Sequence, residues 1–106
     1  MDECIFCKIV EKKIPSQIEK ETENLIVFKD IHPAAPIHLL IVPKKHLKDV
    51  SEDSGDYWAA IGKLATGLAK EKGLDGFRLV HNAGSAAEVP HMHVHFLGQV
   101  KRDRKI

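Results

Sequence analysis

The sequence predicts an α+β fold: an antiparallel sheet of about five strands, one short N-terminal helix and one long helix. Three observations point there. Short apolar runs of strand length recur between prolines, glycines and charged turns. A single long segment carries a helical period, and it enters late, so most strands are not joined by helices. The 106 residues suffice for one core and one domain, residues 1–106, but not for two.

The elements follow in order. Ile5, Phe6, Ile9 and Val10 fall at helical spacing, so residues 4–13 read as a short amphipathic helix stopped before Pro15. Residues 17–21 form a weak strand candidate, and residues 25–28 a stronger one ending at Asp30. Pro33 and Pro36 make residues 31–36 a loop. Residues 37–42 are apolar and β-branched, a buried strand that stops at Pro43. The long helix runs from near Ser54 or Asp56 to Lys72, with Gly73 just past its end. Trp58, Ile61, Leu64, Ala65 and Leu68 keep its period and give it one face to lay on the sheet. Residues 77–81 form a strand, residues 82–89 a small-residue loop, and residues 92–97 the last strand.

Composition narrows the function. Sixteen basic residues against fifteen acidic ones leave a net charge of +1, which implies no polyanion partner and no nucleic acid. The stretch Lys101-Arg102-Asp103-Arg104-Lys105 is locally basic but lacks interleaved aromatics, and reads as a solvated tail ahead of the alternative, a phosphate or nucleic-acid contact. No apolar run approaches the ~20 residues that span a bilayer, and no signal peptide is evident. A cytoplasmic, reducing setting is expected, in which two cysteines are thiols or metal ligands rather than a disulfide.

The most informative motif is His91-Met92-His93-Val94-His95. On an extended strand alternate side chains share a face, so the three imidazoles line up about 7 Å apart, with Met92, Val94 and Phe96 on the core side. A neutral imidazole attacks phosphorus well, and neighbouring rings resist protonation. The same spacing also suits a metal, and a structural cluster is the third alternative. Cys4-Ile5-Phe6-Cys7 is a C-x-x-C pair that needs two more ligands to hold zinc; His46 and His91 are the candidates. Asp30 ends an apolar strand, where an aspartate can accept from a ribose diol or merely form a turn. His38 faces either the site or the core, and His32 and His81 are assigned surface or packing roles. There is no glycine-rich dinucleotide fingerprint and no Walker sequence.

Together these residues resemble the histidine-triad superfamily. His91 to Leu97 reproduces its His-φ-His-φ-His-φ-φ signature, where φ is apolar. Cys4-Ile5-Phe6-Cys7-Lys8-Ile9 with Ile14-Pro15, the segment from Phe28 to His38, and Ile41 to His46 resemble the Hint branch. So does Asn82-Ala83-Gly84 ahead of the triad. The resemblance implies a hydrolase or transferase acting at the α-phosphorus of purine nucleoside phosphoramidates or adenylylated substrates. It implies His93 as nucleophile, with His95 on the phosphate and His38 in support. Asp30 would take the ribose hydroxyls, Ile5, Phe6, Ile9, Phe28 and Ile31 would surround the base, and Asn82 would lie beside ribose and phosphate. It also implies a structural zinc on Cys4, Cys7, His46 and His91, and a homodimer with continuous sheets. The loop Gly84 to Pro90 is about two residues shorter than in Hint proteins and lacks their Gly-Gly-Gln run, while Glu88 brings a carboxylate towards the phosphate. A dinucleoside polyphosphate hydrolase and a nucleotide-binding partner protein are the rival functions.

Overall fold

A computed structural model describes residues 4–102. Asp103, Arg104 and Lys105 of the basic tail lie outside the described residues. Helix α1 spans Ile5–Val10 and is followed by strands β1 (Ile18–Glu21), β2 (Leu25–Lys29) and β3 (Ile37–Pro43). Helix α2 (Asp56–Lys72), β4 (Phe77–His81) and β5 (Val94–Gly98) complete the chain. The five strands form one antiparallel sheet in the order β1-β2-β3-β5-β4. The last strand is therefore inserted between β3 and β4 and hydrogen-bonded on both sides.

Strand alternation gives the sheet two faces. Leu39 and Ile41 of β3 and Val94 and Phe96 of β5 join Ile61, Ala65, Leu68 and Ala69 of α2 in the larger core. Phe96 is fully buried and stacks on Phe77 with ring centroids 5.2 Å apart. The opposite face is smaller: Ile26, Phe28, Leu40 and Val42 pack against Phe6 and Ile9 of α1. No helix among the described residues is long and apolar enough to cross a membrane.

The helix ends have local causes. Asp53 accepts from the N–H groups of Tyr57 and Trp58 at 3.1 and 2.8 Å and so starts α2. Gly73, at φ 64°, ends it in the left-handed conformation that glycine adopts without a Cβ penalty. Gly98 is closely packed: a Cβ there would lie 2.9 Å from Leu74 Cδ1 and 3.0 Å from Ile37 Cβ, so these neighbours would have to shift.

Three expectations need correction. Helix α1 is shorter than residues 4–13, because Cys4 is its N-cap and Lys12 turns left-handed at φ 62°. The final strand begins at Val94, not at residue 92. The Met92 N–H bonds the Leu47 carbonyl at 2.6 Å and the His91 N–H bonds Val89 at 2.8 Å, which takes this backbone off the ladder. Trp58 does not lie in the α2 core: it is 46% exposed and meets the edge of His81 instead.

Candidate active site and metal centre

The α1 face of the sheet carries the histidines. His38 on β3 and His95 on β5 sit two registers apart on neighbouring strands, His38 opposite Leu97 and Leu40 opposite His95. His93, one residue before β5, follows the same parity and meets Phe6 of α1 edge-on at 5.0 Å. A cleft of about 940 Å³ opens over them. Its floor is His93 and His95. Ile5, Phe6, Ile9 and Phe28 form one apolar side with Ile31, Asp30 lies beside them, and Asn82, Ala86, Glu88 and Val89 come from the loop before the triad. All the residues expected around a nucleoside thus border one cavity, except His38, which reaches it through His95.

Each ring's protonation follows from its partners. His38 Nδ1 accepts from the Ala34 N–H at 2.9 Å, so a neutral His38 carries its hydrogen on Nε2. That N–H points at His95 Nδ1, 2.9 Å away, with Asp30 Oδ2 at 3.4 Å. His95 Nδ1 is then an acceptor, and its hydrogen sits on Nε2. His93 Nδ1 donates to the His91 carbonyl at 2.8 Å, which leaves the lone pair on Nε2. Burial is the main cause that lowers the pKa of His93 and His95, and neighbouring rings lower both further. Asp30 and Glu88 act in the opposite direction on both rings. At neutral pH the cleft floor therefore offers a bare ring nitrogen beside a ring N–H.

Asp30 has a local role as well, accepting from the His32 N–H at 2.8 Å to turn the chain out of β2. The turn leaves Ile31 84% exposed at the cleft edge.

The second constellation lies under α1. Cys7 Sγ is 3.2 Å from His46 Nδ1 and 3.5 Å from His91 Nδ1, and Cys4 Sγ is 3.4 Å from His91 Nδ1. A tetrahedral zinc with ordinary Zn–S and Zn–N bonds separates such atoms by about 3.5 Å. The donor set therefore fits zinc without rearrangement. His91 Nε2 donates to the Pro43 carbonyl at 2.8 Å, which holds Nδ1 in the lone-pair form a metal requires. Without a metal the Cys7 thiol is pushed up to about 11, by burial first and then by its hydrogen bond to Cys4. Asp30, His38 and His95 also place donor atoms within 4.8 Å of one another. There the His38 N–H occupies the centre, so that group suits a proton relay and not a cation.

The HIT domain pattern matches residues 11–102. The chain belongs to the HIT family. Among its HIT relatives, the purine nucleoside phosphoramidase of Escherichia coli strain K12 is 38% identical over 104 residues, covering 92% of this chain and 87% of the relative. A HIT family hydrolase from Clostridium thermocellum superposes with a TM-score of 0.89 at 42% identity, covering 100% of this chain and 98% of that one. A zinc-bound histidine triad family protein from Mycobacterium smegmatis gives 0.86 at 28% identity, covering 97% and 79%. The α+β fold with its five-stranded antiparallel sheet is the HIT fold.

Two residues matter more than their sequence context announced. His81, expected only to pack, accepts from the Val50 N–H at 3.0 Å through Nε2 and donates through Nδ1 to the His93 carbonyl at 2.9 Å. Asp49, 4% exposed, accepts from the N–H groups of Ser51 and Gly84 at 2.8 and 3.0 Å and from the Ser51 hydroxyl. Its carboxyl is held at about 2, chiefly by the Ser51 hydroxyl and the Gly84 N–H. The segment 47–52 therefore braces both the triad and the loop before it. Nothing in its spacing marks it, because the partners are backbone groups.

Proposed function

We propose that this HIT protein is a nucleotide hydrolase or transferase working at the α-phosphorus of purine nucleoside phosphoramidates or adenylylated substrates. One observation carries the reading. The hydrogen-bond chain leaves His93 Nε2 as a lone pair in the cleft floor, with a His95 N–H beside it.

In this reading Asp30 takes the ribose hydroxyls, Asn82 lies beside ribose and phosphate, and the base sits among Ile5, Phe6, Ile9, Phe28 and Ile31. His93 Nε2 attacks phosphorus, and a P–N(His) bond forms as the P–N bond to the amine breaks. The amine nitrogen keeps that bond's electron pair and takes a proton from solvent at the cleft mouth, while the His95 Nε2–H donates to a phosphate oxygen. Water then attacks phosphorus, the electron pair of the P–N(His) bond returns to His93 Nε2, and the water proton passes to solvent. The His91 carbonyl holds the His93 Nδ1 hydrogen throughout.

Cys4, Cys7, His46 and His91 would hold zinc, which supplies a cross-link between α1 and the triad rather than chemistry. We assign the protein to the cytoplasm as a homodimer that extends the sheet across β4. β4 is an edge strand whose Leu79 is 38% exposed and whose His81 meets the half-exposed Trp58.

A fluorogenic adenosine phosphoramidate tests the reading. Wild type should turn it over, and His93→Ala should lose about 10³-fold or more in kcat/KM while still binding AMP. A drop under tenfold overturns the assignment. AMP binding without turnover in wild type points instead to a binding protein.

A further inference from the structure

The cleft is unusually poor in positive charge for a phosphate site. Among the described residues that border it, the charged side chains are Lys29, Asp30 and Glu88. Lys29 stands 3.9 Å from Glu19 and, by strand alternation, shares the α2 side of β2 with Leu25 and Val27. Asp30 is engaged at the turn and with His38. The two floor rings are neutral at neutral pH. His93 is 5% exposed, and Lys29 and Glu88 are both exposed, Glu88 on the loop before the triad. Its charge is nevertheless felt at both rings.

Depth separates the two ends of a substrate. In-line displacement puts the leaving group on the side of phosphorus opposite His93 Nε2, and His93 is the floor. The leaving group therefore exits through the mouth, past the loop that carries Glu88. The nucleoside is held by the apolar side of α1 and β2, against which Val89 of that loop also packs, whereas Glu88 beside it is exposed. A carboxylate so placed meets the leaving group and not the base.

We propose that Glu88 is a specificity residue that selects phosphoramidates with a cationic leaving amine and rejects anionic leaving groups, polyphosphates among them. The inference rests on the hydrolase reading above and names the substrate class for that site. An exposed carboxylate attracts a cation weakly, so the effect is a preference. An exposed pair of this kind changes an equilibrium by roughly two- to fivefold, and an anion in the same place is disfavoured by a similar factor. The preference must weaken as salt screens it.

The test uses three adenosine 5′-phosphoramidates of equal chain length. Their leaving amines end in a methyl group, an ammonium or a carboxylate. In wild type at low salt, kcat/KM should fall in the order ammonium, methyl, carboxylate, with roughly tenfold between the extremes. Glu88→Gln should bring the ratios towards one, and Glu88→Lys should reverse the order. Because each variant is compared with itself across substrates, a general loss of activity leaves the ratios readable. Equal ratios in wild type, or an order that Glu88→Lys leaves within twofold, overturn the role of Glu88. Turnover of the methyl compound with flat ratios defeats this inference alone. Failure to turn over any of the three defeats the hydrolase reading together with it.

Discussion

On the face covered by α2, β3 and β5 present Leu39, Ile41, Val94 and Phe96 to a closed aliphatic core. On the face covered by α1 the same two strands present His38, Leu40, His95 and Leu97, and the cover is a helix of only six residues. A seventeen-residue helix shuts out water along the first face, whereas the short helix roofs only part of the second and leaves a cleft. Labour is thus divided within one pleat. One parity of residues holds the sheet together, and the other carries ionisable groups whose hydrogen bonds run to backbone and to one another.

Neighbouring substitutions on β5 should separate these duties. His95→Ala removes the ring N–H beside His93 and should lower kcat by about 10²–10⁴ with little change in melting temperature, read by the phosphoramidate assay and by calorimetry. Phe96→Ala, one residue on, opens a cavity against Phe77 and should cost about 3–5 kcal/mol in denaturant unfolding. Its kcat at a temperature where it stays folded should remain within a few-fold of wild type. If both variants lose stability equally, the faces are not independent.

Smaller effects sharpen the contrast on the α1 side. Cys4→Ser should lower the zinc content measured by metal analysis and the melting temperature, while the rate of the residual folded protein falls by less than in His95→Ala. A wild-type protein isolated without zinc, with chelator avoided, argues against the centre. Asp49→Asn probes the brace by pH. The Asp49 carboxyl titrates at about 2 in the folded chain against an ordinary 3.8. Its stabilisation is thus present in full above about pH 4 and is lost as pH falls through about 2. The melting-temperature gap between wild type and Asp49→Asn should narrow across that window.

Much of this architecture is legible in the sequence where periodicity and punctuation agree. Phe77–His81 and Asp56–Lys72 have the bounds that alternation, helical spacing and Gly73 imply. The start of β5 was not legible, because the apolar–polar alternation continues through Met92 while the backbone leaves the ladder for Leu47. Trp58 misleads for a related reason: its helical phase suits the core, but in the first turn of α2 it stays 46% exposed and meets the His81 ring. In the candidate site, the approach of His46 and His91 to Cys4 and Cys7 could be anticipated from donor type alone. The positions of Ala34, Pro43 and Val50 could not. Their contribution is a main-chain N–H or carbonyl, which every residue possesses and no side-chain pattern reveals.

The exposure of Ile31 and Ile5, at 84% and 48%, has a calorimetric consequence. Both are aliphatic side chains wetted at the rim of the same cavity. A ligand that seats against them strips that water away, so its heat of association should grow more exothermic on warming. Titration calorimetry with AMP at several temperatures should therefore return a negative heat-capacity change, shrinking in magnitude when Ile31 is replaced by serine.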